Sequence, residues 1–157
     1  LINDTKPIFT KDVIDFKQRF LKSLVAPWVF IWIGLLVFFS FQISFLWIMA
    51  TLFVVTFILM NYKATEHFIT KAELKDNSIE FTYYNSKMER KITDIPINEL
   101  TVEYYGNGIG ISSLVSDHMR IDRKGYTIIK QYKTDGWTLE FLKETTEKLN
   151  EIKRIKN

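Results

Sequence analysis

Hydrophobic and polar positions follow three successive patterns along this chain. Apolar residues run almost unbroken from Leu24 to Met60, and no Lys, Arg, Asp, Glu or His occurs between Ser23 and Tyr62. After Glu66 the pattern becomes alternation: Ile79, Phe81 and Tyr83 interleave with Glu80, Thr82 and Tyr84, and Leu100, Val102 and Tyr104 with Thr101, Glu103 and Tyr105. Period two marks half-buried strands, because successive side chains point to opposite faces. Beyond Asp135-Gly136 the spacing becomes helical, with Trp137, Phe141, Leu142, Thr145, Leu149 and Ile152 on one stripe.

The apolar run is about 37 residues long. As one helix it would reach roughly 55 Å, against a hydrocarbon core of about 30 Å. Divided at Ser40, Gln42 and Ser44 it gives two segments, about 24–40 and 44–61, each near the short end of the spanning range. The polar residues at 40–44 then form the crest of a tight turn, where the backbone leaves the helix and needs polar partners. An intramembrane polar site around Gln42 is the alternative. Trp28 and Tyr62 would share one interface and Trp47 the other, with Lys22 and Lys63 as basic anchors. Lys17, Arg19 and Lys22 precede the first segment, Lys63 and Lys71 follow the second, and the turn carries no cation. By the positive-inside rule both termini are cytoplasmic, which predicts a multi-pass protein of the inner (plasma) membrane. A buried helical hairpin in a soluble fold is the competing reading.

Residues 1–23 form an N-terminal amphipathic or juxtamembrane segment. Val13, Phe16 and Phe20 are helically spaced, with Thr10 a candidate N-cap and Asp12 suited to the first turn. Such a helix would lie along the inner leaflet, pack on the following domain or extend the first span. Residues 63–157 hold seven strand candidates: His67 to Leu74, Ile79 to Tyr84, Met88 to Ile92, Leu100 to Tyr104, Ile109 to Ile111, Met119 to Ile121 and Tyr126 to Tyr132. Turns are expected at Asn85-Ser86, Gly106-Asn107-Gly108 and Lys124-Gly125. A helix over about 137–154 closes the chain, started by Asp135 or Thr138. The expected fold class is therefore an α+β membrane protein. It comprises a two-helix transmembrane hairpin over 24–62, then a pleckstrin-homology-like (PH-like) seven-stranded antiparallel β-sandwich or barrel with a C-terminal amphipathic helix.

This order of elements resembles that of small bacterial membrane proteins with a PH-like domain, particularly the YcxB-like group. The resemblance rests on the opening Phe9-Thr10-Lys11-Asp12-Val13-Ile14-Asp15-Phe16, the two adjacent apolar segments, the Ile97-Asn98-Glu99-Leu100-Thr101-Val102 strand and the Glu140-Phe141-Leu142 helix. It implies a fold and a location more than an activity.

Composition adds exclusions. The net charge is +3 and the pI about 9.0, with acidic and basic residues interleaved, which gives no reason to expect nucleic acid as a partner. With no cysteine, disulfide frameworks and thiolate metal sites are excluded. Leu1 in place of methionine suggests that residues precede this stretch. Gly106-Asn107-Gly108-Ile109-Gly110 completes neither a Rossmann nor a Walker pattern and reads as a strand connection. Asp117-His118 are adjacent on a strand, face opposite ways and make a poor acid–base pair. Glu66-His67 reads as the junction between the apolar run and the domain. No catalytic residues, cofactor or metal site are expected. Arg120, Arg123 and Lys124 flank a turn and are candidate contacts for anionic lipid head groups, at about 1 kcal/mol each near a membrane surface; a solvated, salt-bridged surface is the alternative. The expected function is a non-catalytic inner-membrane protein that presents its PH-like domain to a protein partner, a homo-oligomer or a larger membrane complex. Its other partner is the lipid bilayer, and an anionic-lipid-binding module is the runner-up.

Overall fold

The computed structural model describes residues 6–24, 33–35, 37, 44–106 and 117–156, with the side chains of 44–47 and 50 outside the description. Strand β1 (Lys6–Thr10) is followed by helix α1 (Phe16–Leu24) and helix α2 (Ser44–Thr65). Three strands come next: β2 (Phe68–Leu74), β3 (Ser78–Tyr84) and β4 (Arg90–Pro96). A 3-10 turn at Ile97–Glu99 leads into β5 (Leu100–Tyr105), β6 (His118–Arg123) and β7 (Tyr126–Tyr132), and helix α3 (Leu139–Lys156) ends the fold. The strands form two antiparallel sheets, ordered β1-β2-β3-β4 and β5-β6-β7.

Alternation fills the space between the sheets. Ile79 and Phe81 of β3, Leu100 and Val102 of β5, Met119 and Ile121 of β6 and Ile129 of β7 are all buried, together with Phe68, Ile69 and Ala72 of β2. The β6–β7 hairpin turns at Lys124-Gly125, both with positive φ (50° and 81°), the pair of left-handed residues that a two-residue hairpin loop needs. Helix α3 starts where Thr138 Oγ1 accepts from the Phe141 amide at 3.2 Å, and it buries Leu142, Thr145, Thr146 and Leu149. Just before it, Trp137 is fully buried and donates its indole N–H to the Ile69 carbonyl at 3.0 Å.

Several expectations are corrected. Among the described residues no helix is long and apolar enough to cross a membrane. Helix α2 reaches polar Asn61 after about 17 residues, roughly 26 Å at about 1.5 Å per residue, short of a core about 30 Å thick. Asn61, Ala64 and Thr65 are buried, so the last turn of α2 belongs to the domain. No two-helix hairpin appears among the described residues. The transmembrane assignment, the multi-pass inner-membrane placement and the fold class built on them are replaced by an α+β fold with antiparallel sheets of four and three strands.

The sheet composition also differs from the expected domain of residues 63–157. Its outer strand β1 comes from ahead of the apolar run, in register Lys6↔Leu74 to Thr10↔Lys71. Pro7, which has no N–H to give a ladder, fits this edge position. Because Thr10 lies in β1, helix α1 begins only at Phe16, where Asp15 Oδ2 accepts from the Lys17 amide at 2.9 Å.

Candidate functional site

Helix α2 leaves the domain with its apolar side chains uncovered. Ile48 is 60% exposed, Leu52 56% and Leu59 58%, and Met49, Val55, Ile58 and Met60 are also exposed. A helix packed on a globular core keeps one apolar stripe and turns polar residues outward. From Ile48 to Met60 the sequence offers only two threonines as polar residues, so there is no solvent-adapted face.

The base of this helix is held firmly. Arg19 of α1 is fully buried; its Nη1 donates to the Thr65 carbonyl at 2.8 Å and its Nε to the Ile14 carbonyl at 3.1 Å. The guanidinium lies 4.6 Å over the Phe68 ring. It therefore ties α1, the C-terminal end of α2 and the start of β2 at one point. A cation there also suits the negative end of the α2 dipole. Burial pulls the Arg19 pKa down to about 10 against the opposing pull of Asp15. Around it, Phe16 and Phe20 stack at 5.8 Å and both meet the Tyr62 ring edge-on, while Tyr62 donates to Ser86 Oγ at 3.0 Å. On its outer side Lys22 pairs with Asp135 at 2.7 Å.

The basic hairpin is electrically occupied. Arg120 Nη2 meets Glu103 Oε2 at 2.7 Å, and its Nε lies 2.9 Å from Asp122 Oδ2 without hydrogen-bond alignment. Arg123 and Lys124 share Glu99, at 2.7 Å and 2.9 Å. These bonds, from Lys124 first and then Arg123, hold the Glu99 carboxyl below its usual range. Asp117, just ahead of β6, and His118, its first residue, take separate partners. Asp117 accepts from Tyr104 at 2.9 Å, whereas the His118 ring stacks on Tyr105 at 5.2 Å and tilts against Tyr132 at 4.8 Å. Burial and then the bond to Asp117 push the Tyr104 hydroxyl up to about 12.

A cleft of about 280 Å³ opens where the end of α2 meets the outer face of β7, lined by Lys63, Glu66, His67, Thr127, Ile128, Lys130 and Tyr132. His67 packs against Tyr83 at 5.7 Å. Burial lowers its pKa; Glu66 opposes that shift and the Arg19 charge adds to it. Among the described residues, no group of three or more His, Cys, Asp or Glu side chains is placed to hold a metal ion.

Of the residues singled out in the sequence, Tyr62 and Lys22 thus sit in the α1–α2 junction and Lys63 in the cleft. Arg120, Arg123 and Lys124 lie together along the β6–β7 hairpin. Trp28, Ser40 and Gln42 fall outside the described residues, as do the side chains of Ser44 and Trp47. Sequence reasoning missed Arg19 as a clamp and Lys130 as a second lysine lining the cleft with Lys63. For Arg19 the available signal was a cation set between two phenylalanines on a short helix, three residues after Phe16 and one before Phe20. No family profile, no curated protein and no solved structure matches this chain, so its function is read from its own residues.

Proposed function

We propose that this protein is a non-catalytic interaction module whose helix α2 is covered by a protein partner, a second copy or another subunit, while the sheets and α3 form the body presented beside it. The observation that supports this is the exposure of Ile48, Leu52 and Leu59 on a helix without a polar face. Large contiguous apolar surfaces on folded proteins mark interaction sites. Burying one leucine contributes about 1.5–3 kcal/mol, so several together offset the entropic cost of association. Arg19 supports the same reading, because it fixes the angle at which α2 leaves the body. A helix held at its base presents its free surface in one orientation, which lowers the cost of binding.

Head-group recognition by Arg120, Arg123 and Lys124 gains no support, since Glu99, Glu103 and Asp122 already neutralise them.

Light scattering after size-exclusion chromatography, in buffer without detergent, tests the proposal. The wild-type chain is expected as an oligomer or a stoichiometric complex. A Leu52→Glu/Leu59→Glu variant is expected as a monomer with unchanged circular dichroism. A partnerless wild-type monomer that stays dispersed contradicts the proposal, as does assembly that forms only after lipid is added.

A further inference from the structure

We propose that the cleft between the end of α2 and the outer face of β7 is an oxyanion site for a phosphate-class ligand, held by Lys63, His67, Lys130 and the hydroxyls of Thr127 and Tyr132. This goes beyond the interaction reading and does not rest on it.

Two distant parts of the chain supply the cations. Lys63 comes from the last turn of α2 and Lys130 from the middle of β7, and both line the same cleft. Neither has a carboxylate within ion-pair distance among the described residues, in contrast with Arg120, Arg123 and Lys124. Lys130 also lies opposite Arg120 in the β6–β7 register, so its cross-strand neighbour is another cation rather than a partner. Two lysines against one carboxylate, Glu66, leave the cleft lining with a net positive charge, which a bound anion neutralises.

The remaining lining suits the same ligand. A lysine offers three donors and no acceptor, and the Thr127 and Tyr132 hydroxyls add rotatable donors. Neutral imidazole adds one N–H, and burial favours that neutral form of His67. Behind His67 stands the buried Arg19 guanidinium, whose second amino group has no hydrogen-bond partner and whose charge is felt at His67. Glu66 is the one carboxylate in the lining and opposes an anion, but the two lysines leave the cleft positive. At about 280 Å³ the cleft falls just under the usual range for ligand pockets, about 300–1,000 Å³, so it fits a small polar group rather than an extended cofactor. Free phosphate, a phosphomonoester and a lipid head group share this chemistry.

Nuclear magnetic resonance of the whole chain, titrated with inorganic phosphate, tests the site. Vesicles of phosphatidylcholine with and without phosphatidylglycerol form a second arm. Phosphate is expected to move the resonances of His67, Thr127 and Lys130 while leaving Arg123 and Lys124 still. Lys63→Gln/Lys130→Gln should weaken binding by about tenfold or more, whereas Arg123→Gln/Lys124→Gln should not change it. If phosphate alone moves nothing but co-sedimentation requires phosphatidylglycerol and both lysines, the ligand is a lipid head group. The proposal is overturned if neither probe perturbs the cleft, or if binding survives intact in the Lys63/Lys130 variant. The wild-type shift map decides the matter even if that variant fails to fold.

Discussion

Helix α3 buries Leu142 and Leu149 completely, whereas helix α2 leaves Leu52 and Leu59 more than half exposed. The same residue type meets opposite fates in one chain. On α3 charged residues such as Lys143, Glu144 and Lys148 take the outer face, and Lys148 and Lys153 reach back to the Ile8 and Leu100 carbonyls at 2.9 Å and 2.6 Å. That helix is complete within the domain. Helix α2 has no such polar face, and its base is anchored through Arg19, Tyr62 and Thr65. The difference separates what the chain needs for folding from what it offers to something else.

Leucine truncation on the two helices gives the largest contrast. Leu142→Ala is expected to destabilise the fold by about 2–5 kcal/mol, through lost burial and the cavity left behind. Chemical denaturation checks this, and a cost under about 1 kcal/mol would mean that α3 is not integral to the core. Next comes the clamp. Arg19→Leu keeps an apolar side chain against Phe68 but orphans the Ile14 and Thr65 carbonyls, for a loss of about 1–3 kcal/mol. Hydrogen exchange should quicken first in α1 and the last turn of α2; uniform quickening would show that Arg19 does not act locally. Leu59→Ala lies at the other extreme, with an expected change of no more than about 0.5 kcal/mol at concentrations that dissociate any assembly. A larger loss would mean that the exposed surface of α2 already supports the fold.

His67 provides the smallest expected effect. Its pKa is lowered in the folded state, so between that value and the ordinary 6.5 the unfolded chain binds more protons. Stability therefore falls as pH drops below about 6.5, and it is fully present above that value. His67→Gln should flatten this part of a stability–pH profile. An unchanged slope would assign the acid loss to other groups.

Legibility in the sequence follows the range of the interactions concerned. Residues 78–84, 100–105 and 126–132 read as strands because local alternation and the Lys124-Gly125 turn carry the signal. Helix α3 was legible from one apolar stripe. Strand β1 was not, since five residues containing a proline show no usable period and its partner β2 lies more than sixty residues away. The apolar run and its end at Met60 were plain as composition, but composition does not say that the helix continues through buried Asn61 and Thr65 into the domain. In the candidate sites, charge counting treated Arg19 and Lys63 as flanking cations and left Arg120, Arg123 and Lys124 open between head-group contacts and a salt-bridged surface. Only the fold shows that Arg19 is buried, that Glu99 and Glu103 pair with the hairpin cations, and that Lys63 and Lys130 line one cleft.

The central claim is that something outside this domain covers α2, and the absence of native cysteine makes it directly measurable. A Leu52→Cys variant carrying an environment-sensitive fluorophore is compared with a Lys91→Cys control in extracts prepared without detergent. The account predicts blue-shifted emission and protection from an aqueous quencher at position 52, with full quenching at position 91. Equal quenching at both positions would contradict it.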